Sequence, residues 1–455
     1  MAATPLSCPL AAAPRLRLIA SHLSRSRARS PATPAPARAF SSSLRRKLAD
    51  PEPNWSFTTA ASFRGKPGSP VYTPAGSGGP PAAPPAAKRR RAPLRLRQGL
   101  AADHPLAAWR DEQLARCPWG AGHDWFFVEG LPSRREGGEV RGGGAVGGGA
   151  AEEGGAETVE GTGGVVMGVA DGVGGWEDSG VDPSHFAQAL MWFARERVRT
   201  GRALNAAGGP SGQGLKELLE GAYEDVLAEE GIVAGSSTAC LVALDAETGK
   251  LHAANLGDSS FLILRPTRSK PLPTPPASPS SSASSSSSDA TTPPPVLYKL
   301  LHAQPPQIHF FNAPRQLAKL PPSSSSEGAL VDSPRDADTT PPEGIQLEEG
   351  DVVIVATDGF GDNVFAEGEL EQLVALVRGK ADESVAPGGD HAQADQAHLL
   401  AASVAQTAVN FARLVSFKED KVTPFEVEAR RWGYRDLKGG KVDDVTVVVA
   451  VVARR

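Results

Sequence analysis

The feature that most constrains this 455-residue chain is a recurring arrangement, an apolar run that stops on an aspartate. Val165 to Ala170 is such a run, broken only by Gly168. Asp171 follows it, and Gly172, Gly174 and Gly175 fill three of the next four positions. The run reads as a buried strand that delivers one carboxylate to its mouth. The glycines let the backbone turn tightly there and present its own carbonyls. A lone aspartate in that place is most simply a turn former, so the weight lies in the recurrence. Residues 351–358, DVVIVATD, end on Asp358. The β-branched run VDDVTVVVAVV at 442–452 is introduced by Asp443 and Asp444. A short apolar segment at 125–128 has Asp124 at its entrance, and Asp258 stands in the turn Gly257-Asp258-Ser259.

Carboxylates gathered and buried together raise one another's pKa and resist desolvation, so a fold that collects them needs a cation. Oxygen donors without histidine or thiolate at ligand spacing favour Mg²⁺ or Mn²⁺ over zinc. Two such ions can activate a water and neutralise a phosphoryl group during in-line attack. His123 beside Asp124 reads as a structural neighbour and not as a ligand. The pattern alone leaves open a phosphatase, a nuclease or another metal hydrolase. It also leaves open whether the strand ends meet in space.

Composition limits how much of the chain can fold. The 49 glycines and 40 prolines cluster in stretches that cannot build a core. One folded domain interrupted by inserts is expected. Residues 1–50 are Arg-rich and Ser-rich, and no acidic residue precedes Asp50. That is the composition of an organelle transit peptide, mitochondrial by expectation, with plastid import as the alternative. A fluorescent reporter fused to residues 1–50 tests this, and a cytosolic reporter removes it. Residues 51–100 read as a Pro/Ala/Gly-rich disordered linker, and 101–455 as the folded domain. Low-complexity inserts are expected at 133–163, 266–294 and 321–344. A net charge of −5 points to neither nucleic acid nor a polybasic membrane surface. Cys8, Cys117 and Cys240 are too dispersed for a disulfide framework or a zinc site. No unbroken apolar run reaches the ~18 residues of a transmembrane segment. Oligomeric state is not legible.

Within the domain, Asp182-Pro183-Ser184 reads as a helix start, and Phe186, Leu190, Phe193 and Val198 continue at helical spacing. Leu215, Leu218, Leu219, Tyr223 and Val226 mark a second helix. Strands are expected at 236–244, 251–256 and 261–264, joined by short turns as an antiparallel meander. Another is expected at 296–302. Helices are expected at 367–377 and 396–414. The last apolar run suits a strand buried on both faces.

Five segments taken together resemble a known family. ADGVGGW (170–176), GSSTAC (235–240), NLGDSS (255–260), ATDGFGDNV (356–364) and GKVDDVTVVV (440–449) are similar, in order and spacing, to the type 2C metal-dependent protein phosphatases. QIHFFNAPRQL (307–317) and TPFEVEARRWGY (423–434) resemble the short mitochondrial branch. The resemblance implies an α+β fold, a central sandwich of two antiparallel β-sheets flanked by antiparallel helix pairs. It implies a protein serine/threonine phosphatase acting on phosphoprotein substrates, with a hydroxide bridging two Mg²⁺ or Mn²⁺ ions and no covalent phosphoenzyme. Asp171 matches the bridging ligand and Gly172 the residue that lends its carbonyl. Asp358 and Asp443 match the other direct ligands, Asp124 a carboxylate near the second metal, and Asp258 a member of a third site. Neither Arg110 nor Arg116 matches the family's phosphate-binding arginine, and His123 stands where many members carry an acid. Trp176 reads as wall packing, and Ser237 and Thr238 as core strand residues.

Two other readings compete. A non-catalytic relative that binds phosphoproteins would not need Asp171, Asp358 and Asp443 together. A phosphatase with an aspartate nucleophile calls for a second aspartate two positions after the first, where this chain has Val173.

Overall fold

The computed structural model describes residues 55–67, 100, 103–115, 120–131, 163–201, 204, 209–268, 296–321, 331–384 and 392–455. The transit expectation for residues 1–50 lies outside them, as does nearly all of the 133–163 insert. In chain order the first elements are β1 (Trp55–Arg64), α1 (Pro105–Ala115), β2 (Asp124–Leu131), β3 (Gly164–Asp171), α2 (Pro183–Arg199) and α3 (Gly212–Ala228). A run of strands follows: β4 (Gly235–Ser237), β5 (Ala239–Asp245), β6 (Lys250–Leu256), β7 (Ser260–Arg268), β8 (Val296–Ala303), β9 (Ile308–Phe310), β10 (Ala313–Pro314) and β11 (Leu317–Lys319). The last third holds β12 (Asp338–Thr339), β13 (Ile345–Gln346), β14 (Val352–Ala356), α4 (Asp358–Gly361), α5 (Glu371–Ser384), α6 (Ala392–Ser416), α7 (Pro424–Arg431) and β15 (Val445–Arg454).

Two antiparallel sheets carry the architecture. One has the order β1-β15-β14-β7-β8, and the other β12-β6-β5-β3-β2 with β13 also on β6. Their inner faces share one core, in which Val353, Val355, Val448 and Val452 meet Val165, Met167 and Leu241. The helices α2 and α3 cover the outer face of the second sheet, and α5 and α6 that of the first. The α+β sandwich implied by the resemblance is thus the observed fold.

β15 shows why its sequence is almost unbroken valine. Val445, Val447, Val449 and Val451 pack toward α5 and α6, whereas Val448, Ala450 and Val452 face the inter-sheet core. Alternation sends successive side chains to opposite faces. Here both faces are dry, and each buried valine contributes roughly 1.5–3 kcal/mol. α6 is long and apolar enough to cross a membrane by length and composition. In the fold, its apolar residues are taken up by β1, β15 and α5.

Helix starts follow the expected chemistry. The Asp182 carboxylate accepts from Ser184 N at 3.0 Å with Pro183 next in line, and Ser211 Oγ accepts from Gly214 N at 3.0 Å at the start of α3.

Four expectations are corrected. The linker assigned to 51–100 contains β1, which pairs with β15 along its whole length, from Trp55 opposite Arg454 to Arg64 opposite Val445. Its stability comes from a partner at the far end of the chain, which local composition does not reveal. The insert at 266–294 begins too early, because Pro266, Thr267 and Arg268 pair with Tyr298, Leu297 and Val296. The insert at 321–344 is structured from 331 on: Ser333 caps a 3₁₀ turn at Pro334–Asp336, and β12 pairs with β6. Finally, the strands at 251–256 and 261–264 are not neighbours in one meander. β6 belongs to one sheet and β7 to the other, and the chain changes sheets at Gly257-Asp258-Ser259. Gly257 makes that step at φ +104°, where a side chain would run into Thr238 and the Arg315 carbonyl.

Candidate active site

The sheet change sets the location of the site, because it puts Asp258 at one edge of the sandwich. The other strand-end aspartates arrive at the same edge. Asp124 opens β2 and Asp171 closes β3, and the two stand opposite each other in register. The backbone of Asp171 is fixed on both sides. Its N–H donates to Thr238 Oγ1 at 3.1 Å, and its carbonyl accepts from Thr238 N at 3.0 Å. This double contact breaks the expected 236–244 strand into β4 and β5 at Thr238, which also bonds Ser259 Oγ at 2.7 Å. Gly172 follows, bridged to Ser237, with its N–H on the His123 carbonyl at 3.2 Å. A Cβ at Gly172 would lie 2.6 Å from the Pro183 carbonyl, so only glycine fits.

Asp358 does not end β14 itself. The strand stops at Ala356, Thr357 intervenes, and Asp358 is the first residue of α4. Thr357 ties three elements together: its hydroxyl donates to Asp124 Oδ2 at 2.7 Å and accepts from Thr446 N at 3.0 Å. Asp443 and Asp444 take different tasks. Asp444 is buried and accepts the backbone N–H groups of Lys66 at 2.6 Å and His123 at 3.0 Å, pinning two loops. Asp443 faces the cluster.

Two lysines that sequence reasoning passed over enter among these carboxylates. The Lys441 ammonium contacts Asp358 Oδ2, with Asp362 Oδ2 at 2.9 Å and Asp443 Oδ2 at 3.2 Å. Lys66, just beyond β1, reaches Asp443 Oδ1 at 3.3 Å and Asp444 Oδ2 at 3.4 Å. Lys441 and Asp362 lie inside motif segments already singled out, so they were findable. Lys66 lies in the stretch read as linker.

The electrostatics follow burial and partners. Burial, then the charges of neighbouring carboxylates, pushes Asp124, Asp171 and Asp258 well above the usual carboxylate range. For Asp171 the largest of those charges is Asp358. Burial also lifts Asp362 to about 6, against the pull of Lys441. At Asp443 burial acts the same way, but the ammonium groups of Lys441 and Lys66 outweigh it and hold the carboxyl below the usual range. Burial disfavours the Lys441 charge too, and Asp358, Asp362 and Asp443 overcome it, so its pKa is raised.

Around the cluster, His123 is buried, with Nε2 2.8 Å from Glu177 Oε1 and Nδ1 3.4 Å from Lys66 Nζ. The Trp176 Nε1–H donates to Ser236 Oγ at 2.7 Å. Arg110 pairs with its neighbour Asp111, and Arg116 lies outside the described residues.

Among the described residues, no three carboxylate, imidazole or thiolate groups already stand in a formed metal geometry. The donors nevertheless suit a hard divalent cation. Asp124 Oδ1, Asp258 Oδ1 and Asp358 Oδ1 are buried with no hydrogen-bond partner, a costly state for carboxylate oxygens unless a cation meets them.

No family model matches the chain. Among curated proteins, the "Protein phosphatase PTC7 homolog" of Xenopus laevis is 34% identical over 289 residues, covering 63% of this chain and 77% of the relative. The protein of the same name from Homo sapiens is also 34% identical over 289 residues, covering 63% and 75%. Among solved structures, the photosystem II phosphatase PBCP aligns over 87% of this chain and 98% of its own, at 19% identity and a TM-score of 0.46.

Proposed function

We propose that this chain, which belongs to the type 2C (PPM) protein phosphatases, cleaves phosphoserine and phosphothreonine in proteins with Mg²⁺ or Mn²⁺ ions held at the aspartate cluster. The chain is a protein serine/threonine phosphatase; the metals, their number and the assignment of ligands are the inference. The observation that carries it is the convergence of Asp124, Asp171, Asp258, Asp358 and Asp443 from separate segments, with three buried carboxylate oxygens left unpartnered. Such a cluster is unfavourable on its own and suits divalent cations.

Asp171, Asp358 and Asp443 would hold the ions, with the Gly172 carbonyl and Asp124 contributing from β2 and β3, and Asp258 with Asp362 at the outer side. Bound there, such ions supply an activated water and neutralise charge on the phosphoryl group. The chain's own residues keep the carboxylates in place. Thr357 fixes Asp124, Thr238 fixes Asp171, and Asp444 locks the loops that carry Lys66 and His123. Lys66, partly exposed at the rim, presents a positive charge toward an arriving phosphate dianion.

The test is hydrolysis of a phosphothreonine peptide by the full chain with Mn²⁺, then with the metal chelated. Chelation abolishes phosphate release if the reading holds. Turnover that survives chelation removes the metals from it, and peptide binding with no turnover leaves a phosphoprotein-binding relative.

A further inference from the structure

Beside the carboxylate cluster the surface is unusually aromatic for one facing solvent. Tyr434 is 50% exposed and Phe311 is half-buried. They come from two segments that meet: the β9–β10 hairpin, turned at Asn312 with φ +56°, and the chain from α7 to Tyr434. Phe311 joins them. Its ring lies 5.4 Å from Phe425 and 4.9 Å from Tyr434, centroid to centroid.

This surface is continuous with the site. The Phe425 N–H donates to the Asp362 carbonyl at 2.9 Å, and the Lys441 ammonium stands 6.0 Å from the Phe425 ring centre. A path therefore runs from the ammonium among the aspartates, over Phe425 and Phe311, to Tyr434. The support beneath is fixed: Tyr434 N donates to Ala429 O at 2.9 Å, and Gly439 N to Glu426 Oε2 at 2.9 Å. Rigid aromatic groups offer contact area at little entropic cost, and half-exposed aromatic clusters mark interaction sites.

We infer that this aromatic face docks the substrate polypeptide, receiving an aromatic or branched aliphatic side chain near the phosphorylated residue. The inference rests on the phosphatase reading, since the site determines what must lie across its border. A substrate with its phosphoryl group at the aspartates has to cross adjoining surface. An extended chain advances about 3.3–3.6 Å per residue, so Tyr434 is within about five residues of the phosphorylated one. The chemistry of the face is apolar, and so is the flanking group it selects.

The experiment uses the full chain with Mn²⁺ and three substrates: a phosphothreonine peptide with Phe or Leu at the flanking positions, the same peptide with Ser there, and p-nitrophenyl phosphate. The apolar peptide is expected to show about tenfold lower KM than the Ser peptide. Tyr434→Ala is expected to erase that difference while leaving p-nitrophenyl phosphate turnover within twofold, which also reports an intact fold. Phe311→Ala, on the separate hairpin, is expected to do the same more weakly. Equal KM values for the two peptides in the unsubstituted protein overturn the inference. So does a Tyr434→Ala variant that keeps the difference, or one that instead changes the sedimentation coefficient and so marks a contact between copies of the chain. Loss of metal-dependent p-nitrophenyl phosphate turnover in the unsubstituted protein would strike the phosphatase reading instead.

Discussion

Asp358, Asp362 and Asp443 share the ammonium of Lys441, and Asp443 meets Lys66 as well. Asp124, Asp171 and Asp258, at the same edge of the sandwich, have no cation at ion-pair distance among the described residues. The Lys441 ammonium offsets burial only in part at Asp362, which burial still lifts to about 6. The lysines keep Asp443 below the usual carboxylate range, while burial and mutual repulsion drive Asp124, Asp171 and Asp258 far above it. One half of the site carries its own neutralising charge, and the other half calls for a charge from outside. On the proposed reading, the residues that would depend most on a divalent ion are those at the ends of β2 and β3 and in the turn between the sheets.

The sharpest way to break this comparison is Asp171→Asn. The substitution keeps the shape of the side chain and removes the charge at the centre of the uncompensated half. Turnover of a phosphothreonine peptide is expected to fall by about three orders of magnitude or more, with an unchanged near-ultraviolet circular dichroism spectrum. Near-normal turnover would place the metal-dependent chemistry elsewhere.

Lys441→Gln probes the compensated half. Removing the ammonium leaves Asp358 and Asp362 without a cation partner and Asp443 with Lys66 alone. Calorimetry is expected to show roughly tenfold tighter Mn²⁺ binding, because a competing cation no longer has to be displaced. The metal-free variant is expected to melt at lower temperature than the unsubstituted protein. Unchanged affinity would mean that the ammonium and the metal do not compete.

The smallest effect is expected away from both halves. β7 and β8 are antiparallel neighbours, and Arg268 faces Val296, so a short hairpin turn can replace residues 269–295. Activity is expected to stay within twofold. A deletion starting at 266 would cut into the β7–β8 ladder and is expected to lower the melting temperature.

Much of this was legible because the chemistry repeats at strand ends. Asp171 and Asp358 stand out where apolar runs stop, and helical spacing locates α2 and α3. Three things were hidden, each for a physical reason. β1 was lost because its ten residues sit among Pro, Ala and Gly and gain order only from β15. The division of labour between Asp443 and Asp444 depends on which loops approach them, and adjacent identical residues carry no such mark. Lys66 and Lys441 look like ordinary solvated lysines until the fold surrounds them with acids.

The pairing of β1 with β15 also bears on how the molecule comes into being. A ribosome adds roughly 5–20 residues each second, so the first strand waits on the order of 20–80 s for the last to be made. Throughout synthesis it is an unsatisfied edge, open to other chains, and contacts this distant are slow to form. The acidic site draws on the loop just after β1 and on Asp443 and Asp444 just before β15, so it is complete only once these distant segments have met.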